Sequence, residues 1–160
     1  MTNIAEQYIA QYKMSMHPEG GYYAPMYRSE HTIQIRNTTR QLYSSIYYLL
    51  LSGQTSCFHR LSTDEIWHFY DGCPMVIHEL NRDGTYKYTI FGKDCPEPCF
   101  QYLIKAGTWF AATPLLEDSF TLIGCTLSPG FDFQDFEIAE RAYLIETFPD
   151  HQKLIITFTA

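Results

Sequence analysis

The sequence predicts an all-β fold of the sandwich or barrel class, with a short helix at each end. Three observations predict it. From residue 24 to about residue 136 the chain divides into short segments rich in β-branched and aromatic residues, separated by Gly, Pro and Asp turns. Aromatic content is high, with 13 Tyr, 11 Phe and 2 Trp, enough to fill a core and still line a cavity. Helical spacing of apolar residues is confined to the two ends.

Taken in order, residues 3–14 place Ile4, Tyr8, Ile9 and Tyr12 on one helical face, with Thr2 or Asn3 as cap. "HPEGGYY" at 17–23 ends that helix with Pro18 and a Gly pair. "QLYSSIYYLLLSG" reads as a strand stopped by Gly53. "MVIHELNRDGTYKYTIFG" holds two alternating strands around Asp83-Gly84, a hairpin signal, and "GKDCPEPC" is a loop. "FQYLIKAGTWFAATP" reads as strand, turn and strand with Gly107 at the turn, and "SFTLIGCTLSPGF" as a strand closed by Pro129-Gly130. "IAERAYLIETFPDHQKLI" returns to helical spacing broken by Pro149, and the β-branched "LIITFT" is expected as a last strand.

A chain of 160 residues suits one domain spanning 1–160. Its net charge of -7 argues against non-specific binding to nucleic acid or anionic membrane, and no apolar run reaches the roughly 18 residues that span a bilayer. The N-terminal stretch lacks the basic and apolar regions of a secretion signal. Five cysteines (Cys57, Cys73, Cys95, Cys99 and Cys125), an odd count, suit reduced thiols, so a cytoplasmic location is expected. Cys95 and Cys99 are not spaced as a redox or zinc pair and read as loop or core residues.

Chemistry concentrates in "GQTSCFHRLSTDEIWHFYDG", residues 53–72, which brings His59, Glu65 and His68 close together. The segment fits G-x5-H-x-L-x3-E-x6-G, which resembles the first signature of the cupin superfamily with its second His replaced by Leu61. "KAGTWF" stands in place of the second signature, with Gly107 kept and Phe110 where a His would be. "HPEGGYYAPMYRS" and "GCTLSPGFDFQDFEIAERAYLIETFP" are similar to the opening and closing signatures of a small, functionally uncharacterised cupin subfamily. The resemblance covers nearly the whole chain. It implies a cupin-type double-stranded β-helix, that is, a jelly-roll barrel, and a homodimer. Dimerisation is also expected because "LYSSIYYLLL" offers more apolar surface than one barrel buries on a single face.

In metal cupins the resemblance implies three His and one Glu as ligands; His59 and Glu65 match, whereas Leu61 and Phe110 do not. Two ligands in an apolar site hold a transition metal weakly, so no metal or other cofactor is expected. Strand alternation puts Glu65, Trp67 and Phe69 on one face and His68 on the other, which leaves His68 a secondary candidate. Without a metal, His59 and Glu65 are expected to face each other as an acid–base pair suited to proton abstraction beside a carbonyl. The sugar-nucleotide 3,5-epimerases share the cupin fold and work without metal through a His base and a Tyr acid, a likeness of fold only. Tyr22, Tyr23 and Tyr27 are candidate acids here. The alternative is a structural histidine satisfied by a carboxylate in the core. If the pair faces a wet cavity, His59→Ala should cost under about 1 kcal/mol.

Glu19, Tyr22, Arg28, Trp67, His68 and Trp109 complete the candidate ligand-binding set. Arg28 suits a carboxylate or phosphate; the competing reading of Glu19 and Arg28 is a surface ion pair. His17 reads as a helix-terminal residue, Phe131 and Phe133 as core, and Asp132 and Asp135 as turn or rim groups. Three function classes follow. The first is a pocket protein for a small polar, carbohydrate-like molecule, with metal-independent isomerisation or epimerisation if it is an enzyme. The others are a metal-dependent cupin using His59, Glu65 and His68, and a non-catalytic ligand-binding module.

Overall fold

The alternation read from the sequence becomes two facing sheets in the computed structural model, which describes residues 2–35 and 37–160, side chains of residues 2 and 3 aside. The expected cap at Thr2 or Asn3 therefore lies outside the described residues. Helix α1 (Thr2–Gln11) is followed by β1 (Ser15–Met16), β2 (Tyr22–Arg28), β3 (Thr32–Ile35), β4 (Thr38–Gln41) and β5 (Ser44–Leu51). Next come β6 (Ser56–Leu61), β7 (Glu65–Gly72), β8 (Met75–Leu80), β9 (Tyr86–Phe91) and β10 (Gln101–Ile104). The chain finishes with β11 (Trp109–Pro114), β12 (Phe120–Leu127), β13 (Phe136–Ile138), α2 (Arg141–Thr147) and α3 (Gln152–Thr157).

One sheet orders β1-β2-β5-β12-β7-β10 and the other β13-β6-β11-β8-β9, with β3 and β4 paired as a separate hairpin. This is the jelly roll of the cupin fold. The β8–β9 hairpin forms where Asp83-Gly84 predicts it. Gly84 takes a positive φ, and the Asp83 carboxylate accepts from the Thr85 backbone N–H at 3.0 Å.

Three apolar layers hold the molecule together. Trp67, Phe69, Ile77, Phe91, Phe110 and Ile123 fill the space between the sheets. Phe58, Trp109, Leu144, Ile155 and Phe158 pack the C-terminal helices on the outer face of the five-stranded sheet. Helix α1 covers Leu49, Phe120 and Leu122 on the outer face of the other. Each fully buried side chain of this size contributes about 1.5–3 kcal/mol.

Two expectations are corrected here. "LIITFT" is no strand: its residues mostly form α3, because Ile155 and Phe158, three apart, dock on Phe58, and packing overrides β-propensity. The apolar surface of β5 is not left for a partner either, since β5 is a central strand with α1 packed over Tyr47, Leu49 and Leu51.

Candidate functional site

A cavity of about 230 Å³ opens between the sheets beside β2, β5, β6, β7 and β12, lined by His17, Glu19, His59, Glu65 and Trp67 among others. Strand alternation decides which candidates reach it. On β6, His59 and Leu61 face the cavity while Phe58 packs under the C-terminal helices. On β7, Glu65 and Trp67 line it, whereas His68 bonds Thr126 Oγ1 at 3.2 Å on the opposite face. On β11, Phe110 points inward, its ring centroid 4.0 Å from that of His59 and its plane tilted 57° to it. Trp109, its neighbour, must point outward, where Arg60 covers it. On β2 the same rule puts Tyr23 in the cavity wall and Tyr22 against α1. The expected ligand contacts of Tyr22, His68 and Trp109 are therefore corrected: none of the three lines the cavity. Glu19, Arg28 and Trp67 do.

Glu19 enters the barrel from the "HPEGG" turn. Gly20 and Gly21 both take positive φ, and a Cβ on Gly20 would stand 2.1 Å from the Thr55 carbonyl oxygen. That close approach lets Cys57 N–H donate to the Glu19 carbonyl at 2.8 Å and docks the turn on β6. Inside, Glu19 Oε2 lies 3.0 Å from His59 Nε2 and 3.5 Å from His17 Nδ1, and Glu19 Oε1 accepts from Ser56 Oγ at 3.0 Å. The carboxylate that engages His59 is thus Glu19, and the expected His59–Glu65 hydrogen-bonded pair is corrected. Among the described residues Glu19 and Arg28 take part in no surface ion pair, and Glu19 is buried.

Proton positions follow from the partners. His59 Nδ1 lies 2.8 Å from the Cys57 carbonyl, which only accepts, so Nδ1 carries a proton. Nε2 faces the Glu19 carboxyl, so a second proton sits between them. Burial disfavours the imidazolium, but the Glu19 charge and hydrogen bond and the Cys57 carbonyl outweigh it and hold His59 above its ordinary pKa. Burial likewise pushes Glu19 up, yet His59 and His17 bring it below the ordinary carboxyl value. His17 differs. Its Nδ1 accepts from the Glu19 backbone N–H at 3.4 Å, and burial holds its pKa below the ordinary value although the Glu19 charge opposes this.

Glu65 stands apart. Burial drives its pKa up to about 7; His59 opposes the rise and Glu19 adds to it. The indole N–H of Trp67 and the thiol of Cys125 are its nearby donors. Trp67 Nε1 makes no hydrogen bond of normal geometry among the described residues. Sequence reasoning missed His17, Tyr48 and Cys125 as cavity residues, and placed Phe131 and Phe133 in the core rather than at the cavity. The signal for His17 was its place two residues from Glu19 in a turn tightened by two glycines.

The donor set does not fit the metal of metal-dependent cupins. Leu61 and Phe110 stand at two ligand positions, and both His59 nitrogens are engaged by Cys57 and Glu19. Among the described residues no group of three or more His, Cys, Asp or Glu side chains is placed to hold a metal ion.

Residues 6–139 match the family described as Cupin superfamily (DUF985). The chain belongs to that family. A protein of Shewanella oneidensis, SO0799, has a crystal structure that superposes on this cupin with a TM-score of 0.90 at 34% identity, covering 98% of this chain and 97% of that one. A hypothetical protein from Leishmania major gives 0.89 at 30% identity, over 97% and 98% of the two chains. The uncharacterized protein YML079W of Saccharomyces cerevisiae is 25% identical over 146 residues, 81% of this chain and 72% of its own length. Oxalate decarboxylase of Bacillus subtilis (its E162A mutant) shares the fold alone, with a TM-score of 0.58 at 11% identity over 94% of this chain and 38% of that one.

Proposed function

We propose that this cupin binds one small polar, carbohydrate-like molecule in the barrel and moves a proton at a carbon beside a carbonyl, a metal-independent isomerisation or epimerisation. Glu65 carries the reading: a buried carboxyl facing a cavity, with a pKa of about 7, is matched to taking and returning a proton at neutral pH. As carboxylate it accepts the C–H proton; the C–H bonding pair forms the carbon–carbon double bond and the carbonyl π pair moves onto oxygen, giving an enolate. His59, kept charged by Glu19, supplies the positive charge that stabilises the enolate oxygen. Tyr23 lines the cavity, while Tyr48 donates its hydroxyl to the Gly20 carbonyl at 2.7 Å. Tyr23 is therefore our choice of acid for return of a proton to the opposite face.

Proton NMR in D2O over a panel of aldoses, ketoses, their phosphates, uronic acids and 2-keto acids tests the reading. The expected result is loss of one C–H signal from a panel member, slowed about 10²–10⁴-fold by Glu65→Gln. No exchange with any member, or exchange that survives Glu65→Gln, removes the proposal. Engagement of both His59 nitrogens within the protein favours a second reading, binding without turnover, which would show as saturable binding with no exchange.

Location and assembly belong to the same proposal. All five cysteines are free, which supports a reducing cytoplasm, and among the described residues no helix is long and apolar enough to cross a membrane. Ile66, Tyr70 and Leu103, exposed on the outer face of the six-stranded sheet, support pairing of two copies. Light scattering that returned only an 18.7 kDa species would remove the dimer.

A further inference from the structure

The geometry points to an anionic ligand: we infer that Arg28 at the cavity mouth receives a carboxylate or phosphate at one end of the molecule whose polar carbons reach Glu65. The inference rests on the cavity being the ligand site, as proposed above. Charge in the cavity is segregated. Glu19, His59 and Glu65 are all buried at its inner end, whereas Arg28 is exposed and is the single Arg or Lys among the described lining residues.

Arg28 is also unspent. Neighbouring arginines are committed within the fold: Arg40 pairs with Asp135 at 2.5 Å and donates to the Gly130 carbonyl at 2.6 Å, and Arg60 pairs with Glu137 at 2.7 Å. Arg28 has no carboxylate at ion-pair distance among the described residues. Among the described residues its one side-chain hydrogen bond runs from Nη1 to the neutral Gln41 Oε1 at 3.1 Å. A guanidinium presents five N–H donors in a planar fork, so most of that fork is available for bidentate contact with an anion.

The surrounding residues support the same use. Arg28 closes β2 directly opposite Ser44, and Tyr27 lies opposite Ser45. Ser44 Oγ accepts from the Phe131 N–H at 2.8 Å, which leaves its own hydroxyl proton free to donate. With a net charge of -7, the molecule as a whole repels anions, so their recognition needs a local cation. The volume of 230 Å³ is that of about seven or eight waters, which sets the enclosed part of the ligand at the scale of one sugar ring or a short acid.

Calorimetric titration with glucose, glucuronate and glucose 6-phosphate tests this, since the three share a ring and differ at one carbon: neutral, carboxylate or phosphate. The expected result is about tenfold or tighter binding of at least one anionic probe over glucose, as one charge-assisted pair provides. Arg28→Gln should erase that preference and Arg28→Lys should keep part of it. Preference for glucuronate would assign a carboxylate, and preference for glucose 6-phosphate a phosphate. Equal binding of the three, no binding of any at millimolar concentration, or an anion preference that survives Arg28→Gln would overturn the inference. The readout is binding, so anion preference without proton exchange would leave Arg28 assigned and remove the catalytic reading. Exchange on a neutral probe without anion preference would do the reverse.

Discussion

Glu65 and Glu79 are two carboxyls on inward-facing positions of the same jelly roll, 6% and 5% exposed, and they are treated in opposite ways. Glu79 on β8 accepts a short hydrogen bond from Tyr102 Oη and has Lys87 Nζ at 3.8 Å. Tyr102 Oη in turn accepts from Lys87 Nζ at 2.7 Å and Thr89 Oγ1 at 3.1 Å. This cluster joins β8, β9 and β10, and β9 and β10 are the last strands of the two sheets. It is a tie across the open side of the barrel. Glu65 faces a cavity, and its nearby donors are an indole N–H and a thiol. Equal burial therefore does not mean equal purpose. A carboxyl tied by the protein's own tyrosine and lysine serves the fold; one left facing space with its pKa near neutrality is available to a ligand.

The largest effect expected from breaking this contrast is at His59. His59→Ala would leave the Glu19 charge buried without its cation, at a loss of about 3–5 kcal/mol in chemical denaturation. That replaces the figure of under about 1 kcal/mol expected from the sequence, because His59 is buried and held by Glu19. A loss under 1 kcal/mol would show that the pair is not held as described.

Next comes the pH dependence of Glu65. Its pKa is raised on folding from an ordinary 4.5 to about 7, so the folded state binds the extra proton between those values. The resulting stability is fully present below pH 4.5 and is lost as pH rises through 7, on the order of 3 kcal/mol. Glu65→Gln should flatten that part of the stability profile relative to wild type. Parallel profiles would contradict it. A smaller effect is expected at the tie: Tyr102→Phe removes the main donor to Glu79 and should cost about 1–3 kcal/mol with ligand affinity unchanged. Weaker ligand binding in that variant would join the two regions that the structure separates.

Much of the fold was legible in the sequence because it depends on local signals. Asp83-Gly84 marks its hairpin, Gly53 and Gly107 mark turns, and period-two alternation on β7 separates Glu65 and Trp67 from His68. The candidate site was only half legible. His59 and Glu65 stand in one segment, but the partner of His59 arrives from a turn 40 residues earlier, and spacing carries no signal for such a contact. Trp109 was expected at the cavity although Phe110, its neighbour, stands at the inward ligand position, and neighbours on one strand cannot share a face. Helices at the C-terminus were legible from their spacing, but "LIITFT" read as a strand because that β-branched run is held helical by Phe58 and Leu144, which belong to distant elements.

The central claim is that Glu65 titrates near neutrality inside the cavity while Glu19 stays ionised against His59. Carbon-13 NMR of protein labelled at the glutamate side-chain carboxyls, recorded from acid to alkaline pH for wild type and Glu65→Gln, measures it directly. One resonance with a midpoint at about 7, absent from the variant, is the expected result. A Glu65 resonance with a midpoint near the ordinary 4.5 would contradict it and leave the cavity without its proton-transfer group.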